Sequence, residues 1–167
     1  MRKRLIICTS IFGLVLACVF VVLLQINKPP ERIQRMIEDN REAYEYVANF
    51  YYNDYKDSKM KCLSYSFLEN DILVCYEGTF EAREIFLDKT EIDIFKTVDK
   101  SYYVDDKAVD RVYVYENFVA LCNENGRASI VYSVDGTAPI WIDSPEDKVD
   151  KIKVIPIVEK WYYVVDN

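Results

Sequence analysis

The sequence predicts an α+β protein in which an N-terminal transmembrane helix precedes a long amphipathic helix packed on a curled antiparallel β-sheet. Three observations predict it. An uncharged run lies near the start, a helical stripe of apolar residues follows it, and beyond Ser58 the apolar period falls to two with turn dipeptides at short intervals.

The uncharged run comes first. Leu5 to Ile26 is 22 residues interrupted only by Thr9, Ser10, Gly13 and Gln25. At 1.5 Å rise per residue such a helix is about 33 Å long, enough for a hydrocarbon core of ~30 Å. A cleaved secretory signal has a basic start like Arg2-Lys3-Arg4, but its apolar stretch is shorter and ends at a small-residue cleavage site, which is missing here. Leu14-Val15-Leu16-Ala17-Cys18 resembles a bacterial lipobox, which implies acylation of Cys18 after cleavage. The apolar run nevertheless continues through Val19 to Leu24, where a lipoprotein turns polar. An uncleaved anchor is therefore expected. Arg2, Lys3 and Arg4 place the N-terminus in the cytoplasm under the positive-inside rule and the following domain outside. Lys28, Arg32, Arg35 and Arg41 oppose that orientation, but Glu31, Glu38 and Asp39 are interleaved with them. The expected organisation is a basic tail at 1–4, a membrane helix at 5–26, a proline-containing junction at 27–30 and one acidic domain at 31–167.

Pro29-Pro30 ends the membrane helix and suits the first turn of another, where a missing N–H costs nothing. From Glu31 to Lys56, the positions Ile33, Ile37, Tyr44, Val47, Tyr51 and Tyr55 recur at helical spacing, and Glu31–Arg35 and Arg41–Glu45 add pairs four residues apart. The 4-3 spacing also fits a coiled-coil seam. With Asn40 in that seam and fewer than three heptads, packing against the chain's own sheet is the expectation.

Met60–Phe67 and Asp71–Tyr76 then read as a hairpin about Glu69-Asn70. Asp88–Tyr103 is read as a helix on the face of Ile92, Phe95, Val98 and Tyr102, although Ile92-Asp93-Ile94 alternates like a strand. Arg111–Tyr115, Phe118–Asn123, Arg127–Val134 and Ala138–Ile142 form a meander, with Asn125-Gly126 and Asp135-Gly136 supplying the positive φ angles of tight turns. Lys151–Ile157 and Trp161–Val165 make a last pair, in which Pro156 marks an edge or a strand end. A helix followed by a curled antiparallel sheet resembles cystatin-like and NTF2-like domains in element order alone, and the resemblance carries no motif.

Composition narrows the function by exclusion. Beyond Arg2, Lys3 and Arg4 the chain carries all 28 of its acids against 18 bases, so phosphate backbones are repelled and no nucleic-acid partner is expected. There is no histidine, which removes every Ser-His and Cys-His arrangement. Four glycines, none arranged as a phosphate loop, leave no nucleotide motif. The lysine, isoleucine, asparagine and tyrosine bias resembles a low-GC bacterial composition.

Five cysteines are present, with Cys8 and Cys18 in the apolar run and Cys122 ending a predicted core strand. Cys62 and Cys75 flank the first hairpin. A four-residue loop from Phe67 to Asn70 places them opposite each other, within reach of a disulfide, whereas a two-residue loop at Glu69-Asn70 moves them out of register. Asp105, Asp106 and Asp110, and then Asp143, Glu146 and Asp147, are the densest acidic spots. They lack the oxygen spacing of an EF-hand and read as solvated loops. No catalytic residue, cofactor site or metal site is assigned.

The unusual content is aromatic: 14 tyrosines, 8 phenylalanines and 2 tryptophans. Tyr51-Tyr52, Tyr102-Tyr103 and Tyr162-Tyr163 would split their rings between two sides of an extended element, so some must reach the surface. Tyrosine also fills half-buried strand positions by simple propensity, and Trp141 and Trp161 are the other rings to locate. The expectation is a non-enzymatic, membrane-anchored extracytoplasmic module that meets an envelope protein or a wall polymer. An assembly subunit of a secretion- or conjugation-like machine, and a small NTF2-like ligand-binding or enzymatic domain, are the alternatives.

Overall fold

The computed structural model describes residues 30–68, 70–77, 82–104, 107–123, 128–140 and 152–166. The expected membrane helix at 5–26, with Cys8 and Cys18, lies outside them, as do Asp105, Asp106, Trp141, Asp143, Glu146 and Asp147. Among the described residues no helix is long and apolar enough to cross a membrane.

The described part is α+β, with three helices and an antiparallel sheet of eight strands in the order β3-β2-β1-β4-β5-β6-β8-β7. Helices α1 (Glu31–Asp39), α2 (Arg41–Tyr55) and α3 (Lys89–Ser101) accompany strands β1 (Cys62–Ser66), β2 (Ile72–Tyr76), β3 (Ala82–Phe86), β4 (Val109–Tyr115), β5 (Phe118–Asn123), β6 (Ala128–Ser133), β7 (Ile152–Val158) and β8 (Trp161–Asp166).

The single long helix expected over Glu31–Lys56 is two helices, broken at Asn40. Asn40 adopts φ −127° and ψ 25°, its N–H donates to Ile37 O, and its side-chain amide donates to Met36 O at 3.1 Å. A short polar side chain competing for backbone partners in this way is why asparagine disfavours helix interiors. The break lets one apolar stripe serve two places. Ile33, Met36 and Ile37 are buried on α1, which packs toward β7, while Tyr44, Val47, Ala48, Tyr51 and Tyr55 are buried on α2, over β4 and β5. Arg41 donates to Glu45 at 2.7 Å, as the spacing predicts, and also to Glu159 at 3.0 Å in the β7–β8 turn.

The helix expected over Asp88–Tyr103 is α3. Its start is a reciprocal capping box, with Glu91 N–H donating to Asp88 Oδ1 at 2.9 Å and Asp88 N–H donating to Glu91 Oε2 at 2.8 Å. Phe95, Val98 and Tyr102 are buried from it, as the stripe requires.

The curled sheet that was expected is neither closed nor strongly curled. Curling needs bulges repeated across the strands, and among the described residues the register shifts only at Val109/Arg111 and at Pro156/Val158. Central strands β5 and β6 run in unbroken register from Phe118↔Ser133 to Cys122↔Ser129. The strand expected at Ala138–Ile142 has no strand structure over residues 138–140, and residues 141–142 lie outside the described set. Pro139 has no N–H to give, and the edge of β6 where that strand would pair is taken by β8, from Ala128↔Val165 to Tyr132↔Trp161. Strand β3 was not anticipated from the sequence, because Ala82-Arg83-Glu84-Ile85-Phe86 shows no apolar alternation.

Helices cover one face of the sheet, where Leu63, Tyr65, Leu73, Val112, Val114, Leu121, Ile130 and Trp161 form the main core with them. The opposite face carries a second apolar cluster of Phe118, Ala120, Cys122, Val131 and Val164, so β5 and β6 are buried on both sides.

The first hairpin decides the cysteine question. Positive φ at Asn70 and Asp71 sets a register of Tyr65↔Cys75 and Ser64↔Tyr76, an odd shift of three residues from the one that would oppose Cys62 to Cys75. An odd shift moves a residue to the other face. Cys75 is buried with Tyr65, Cys62 is half-buried on the far side, and neither they nor Cys122 are in a disulfide. An impermeant maleimide applied to the native chain in detergent should therefore label Cys62 before Cys75 and Cys122, as read by peptide mass spectrometry, and reductant should leave mobility on gels unchanged.

Candidate functional site

Among the described residues, two groups of polar side chains at the margin of the core stand out. The first is a groove of about 810 Å³ where the C-terminal end of α2 meets the β4–β5 turn. Its walls are Tyr52, Tyr55 and Tyr115, and its rim carries Lys59, Lys61, Glu116 and Asp135. Tyr52 and Tyr55 reach it because they lie three residues apart on one helix face. Their rings stand 6.3 Å apart at 40°, and their hydroxyls donate to Glu116 O and Lys61 O, each at 3.2 Å. Tyr115 stacks on Phe118 at 4.5 Å. Burial, and then the Glu116 carboxylate, push the Tyr55 phenol up from its ordinary value. Asp135 is held below the ordinary carboxylate range by the hydroxyl and N–H of Thr137 and the hydroxyl of Ser133, which close a turn with Gly136 at φ 82°. The two α2 phenol protons go to backbone carbonyls, so the groove offers ring faces and a rim of both charges: contact chemistry for a sugar, a side chain or a peptide.

The second group is centred on Asp54. Tyr65 donates its hydroxyl to Asp54 Oδ2 at 2.9 Å, and Arg83 Nη2 donates to the same oxygen at 2.7 Å. Arg83 Nε reaches Glu77 at 3.2 Å. Burial is the first cause pushing the Tyr65 phenol far up, reinforced by neighbouring Cys75 and the Asp54 carboxylate. Burial also raises the Cys75 thiol. Both groups are thus held in their protonated forms, the reverse of what a base or thiolate nucleophile needs. The cluster ties β3, through Arg83, to α2 and β1. Asp54→Ala should cost about 2 kcal/mol by leaving the buried Tyr65 hydroxyl without its acceptor, and Asp54→Asn, which keeps an acceptor, should cost less. Urea midpoints of the two variants check this.

Among the described residues no group of three or more His, Cys, Asp or Glu side chains converges to hold a metal ion. Of the acidic spots seen in the sequence, Asp110 is exposed at the start of β4. Trp161 is wholly buried in the core. The tyrosine doublets do divide: Tyr51, Tyr102 and Tyr163 are buried, while Tyr52 and Tyr162 are half-buried and Tyr103 is 39% exposed. Neither the groove nor the Asp54 cluster was assigned from sequence. The groove's one signal was the helical spacing of Tyr52 and Tyr55, and the cluster's hub depends on strand β3.

Compared with known proteins, the chain matches no family model, no curated protein and no solved structure.

Proposed function

We propose that this chain is an interaction module tethered to the cell membrane by residues 5–26, with its α+β domain on the extracytoplasmic side, where it meets an envelope protein or a wall polymer. The uncharged 22-residue run from Leu5 to Ile26, separated from the first described helix by only a short proline junction, is the observation that carries the tether. The tyrosine-walled groove supports the contact role, because large rings with their hydroxyls already engaged suit recognition by area. The same groove is the candidate site for the second reading, a small ligand-binding domain.

The experiment is an accessibility assay on intact cells. Asn167→Cys in a background where the five native cysteines are serine is exposed to a membrane-impermeant maleimide. Labelling in intact cells is the expected result. Protection that disappears on lysis would place the domain in the cytoplasm and end the envelope reading.

A further inference from the structure

The two ends of the sheet are built differently. At one end β7 carries Pro156, which has no N–H to offer, and a register shift between Pro156 and Val158. Proline and bulges are among the devices that keep an edge from pairing with another chain, as are charged side chains, which on β3 are Arg83, held from behind, and Glu84. At its end of the sheet β3 has neither proline nor bulge. Among the described residues it pairs only with β2, in unbroken register from Ile72↔Phe86 to Tyr76↔Ala82, and four of its five residues are exposed. Phe86, at 74% exposure, stands at its end. Arg83 is fastened from behind by Asp54 and Glu77, so this outermost strand is braced against the domain.

We propose that the free edge of β3 accepts an extended strand from a different protein, antiparallel, with a basic residue opposite Glu84 and an apolar one opposite Phe86. The mode is strand addition: main-chain hydrogen bonds hold the segment, and alternate side chains choose it. This rests on the interaction-module reading and names its surface and partner. Charge selects another protein over a second copy. Two copies of β3 overlapping along all of Ala82–Phe86 about a twofold axis place Glu84 directly against Glu84, and like charges directly opposite are destabilising. The acid excess of the domain adds repulsion between copies. A lysine or arginine opposite Glu84 turns the same position into an attractive cross-strand pair, and Phe86 then finds the neighbour that its exposure lacks.

The test uses the full chain in detergent micelles and a blocked, fluorescently labelled peptide, Thr-Val-Thr-Lys-Thr-Val-Thr, followed by anisotropy. The expected result is binding about tenfold tighter than that of the same peptide with Glu for Lys. Glu84→Lys should reverse that preference, and a peptide N-methylated at alternate residues should lose binding. Absence of binding, indifference to the Lys/Glu exchange, or survival of binding after N-methylation would overturn the proposal. So would disulfide dimers in membranes of a chain that keeps Glu84, carries Ala82→Cys and Phe86→Cys, and has its five native cysteines replaced by serine, because those two positions face each other when two copies of β3 pair. If the peptide fails while Asn167→Cys still labels from outside, the strand proposal falls and the envelope reading stands. If Asn167→Cys is protected while the peptide binds, the reverse holds.

Discussion

Raising the pH from about 8 to about 11 is expected to destabilise the domain by a few kcal/mol. The cause is burial of acids in their neutral forms. The phenols of Tyr44, Tyr51 and Tyr65 are pushed well above their ordinary value, first by desolvation, and burial pushes the Cys122 thiol up to about 11. A group whose folded pKa is raised contributes stability that is whole below its unfolded pKa and drains away as the pH rises toward the folded one. For Cys122 the window runs from about 9 to about 11. For the phenols it opens near their ordinary value of 10. At about pH 11 the thiol alone accounts for about 2 kcal/mol, and the buried phenols add to the loss in the same direction. Far-UV circular dichroism against pH measures the transition. Tyr51→Phe supplies the control, because the Tyr51 hydroxyl is buried with no hydrogen-bond partner among the described residues. Removing it should leave neutral stability unchanged or improved and move the alkaline midpoint upward. An unmoved midpoint would remove Tyr51 from the account.

Trp161→Ala is the substitution expected to cost most, about 4 kcal/mol, a large part of the 5–15 kcal/mol that holds most domains together. Trp161 is fully buried, with Tyr44 edge-on at 5.8 Å and 89° and Tyr132 at 5.0 Å and 52°. It therefore joins helix α2 to strands β6 and β8. Its indole nitrogen has no hydrogen-bond partner among the described residues, so Trp161→Phe forfeits volume but no bond there and should cost much less than the alanine variant. Urea midpoints followed by circular dichroism separate the two. Equal losses for Phe and Ala would mean that the ring contacts contribute little.

What could be read from the sequence divides along physical lines. Helix α3 was readable because Phe95, Val98 and Tyr102 keep helical spacing behind Asp88, and strands β4 to β6 because their apolar runs end in turn chemistry. The break at Asn40 was visible only as a polar residue in an apolar seam. Periodicity reports which face is buried, and it continues in phase across a change of helix direction. Strand β3 was illegible: an edge strand held by main-chain bonds and by Arg83 needs no apolar alternation. The register of β1 and β2 turned on the conformation of Asn70 and Asp71, which the residue types allow but do not dictate. The groove was beyond reach for a related reason. Tyr52 and Tyr55 meet Tyr115 only after about sixty intervening residues have folded, and local spacing holds nothing about such a meeting.

The position of β8 between β6 and β7 has a consequence for synthesis. Strands β4, β5 and β6 can pair as each emerges, since β4 lies beside the earlier β1, and β5 and β6 each neighbour the strand before them. Strand β7 emerges next, but β6 is not its neighbour, so it must wait. Until residues 161–166 follow, the open side of β6 offers its main chain to any passing strand, and Tyr44 lacks the indole it packs against. A released chain cut short before Trp161 thus keeps a sticky edge that a chaperone or protease would recognise, and residues 161–166 cover it.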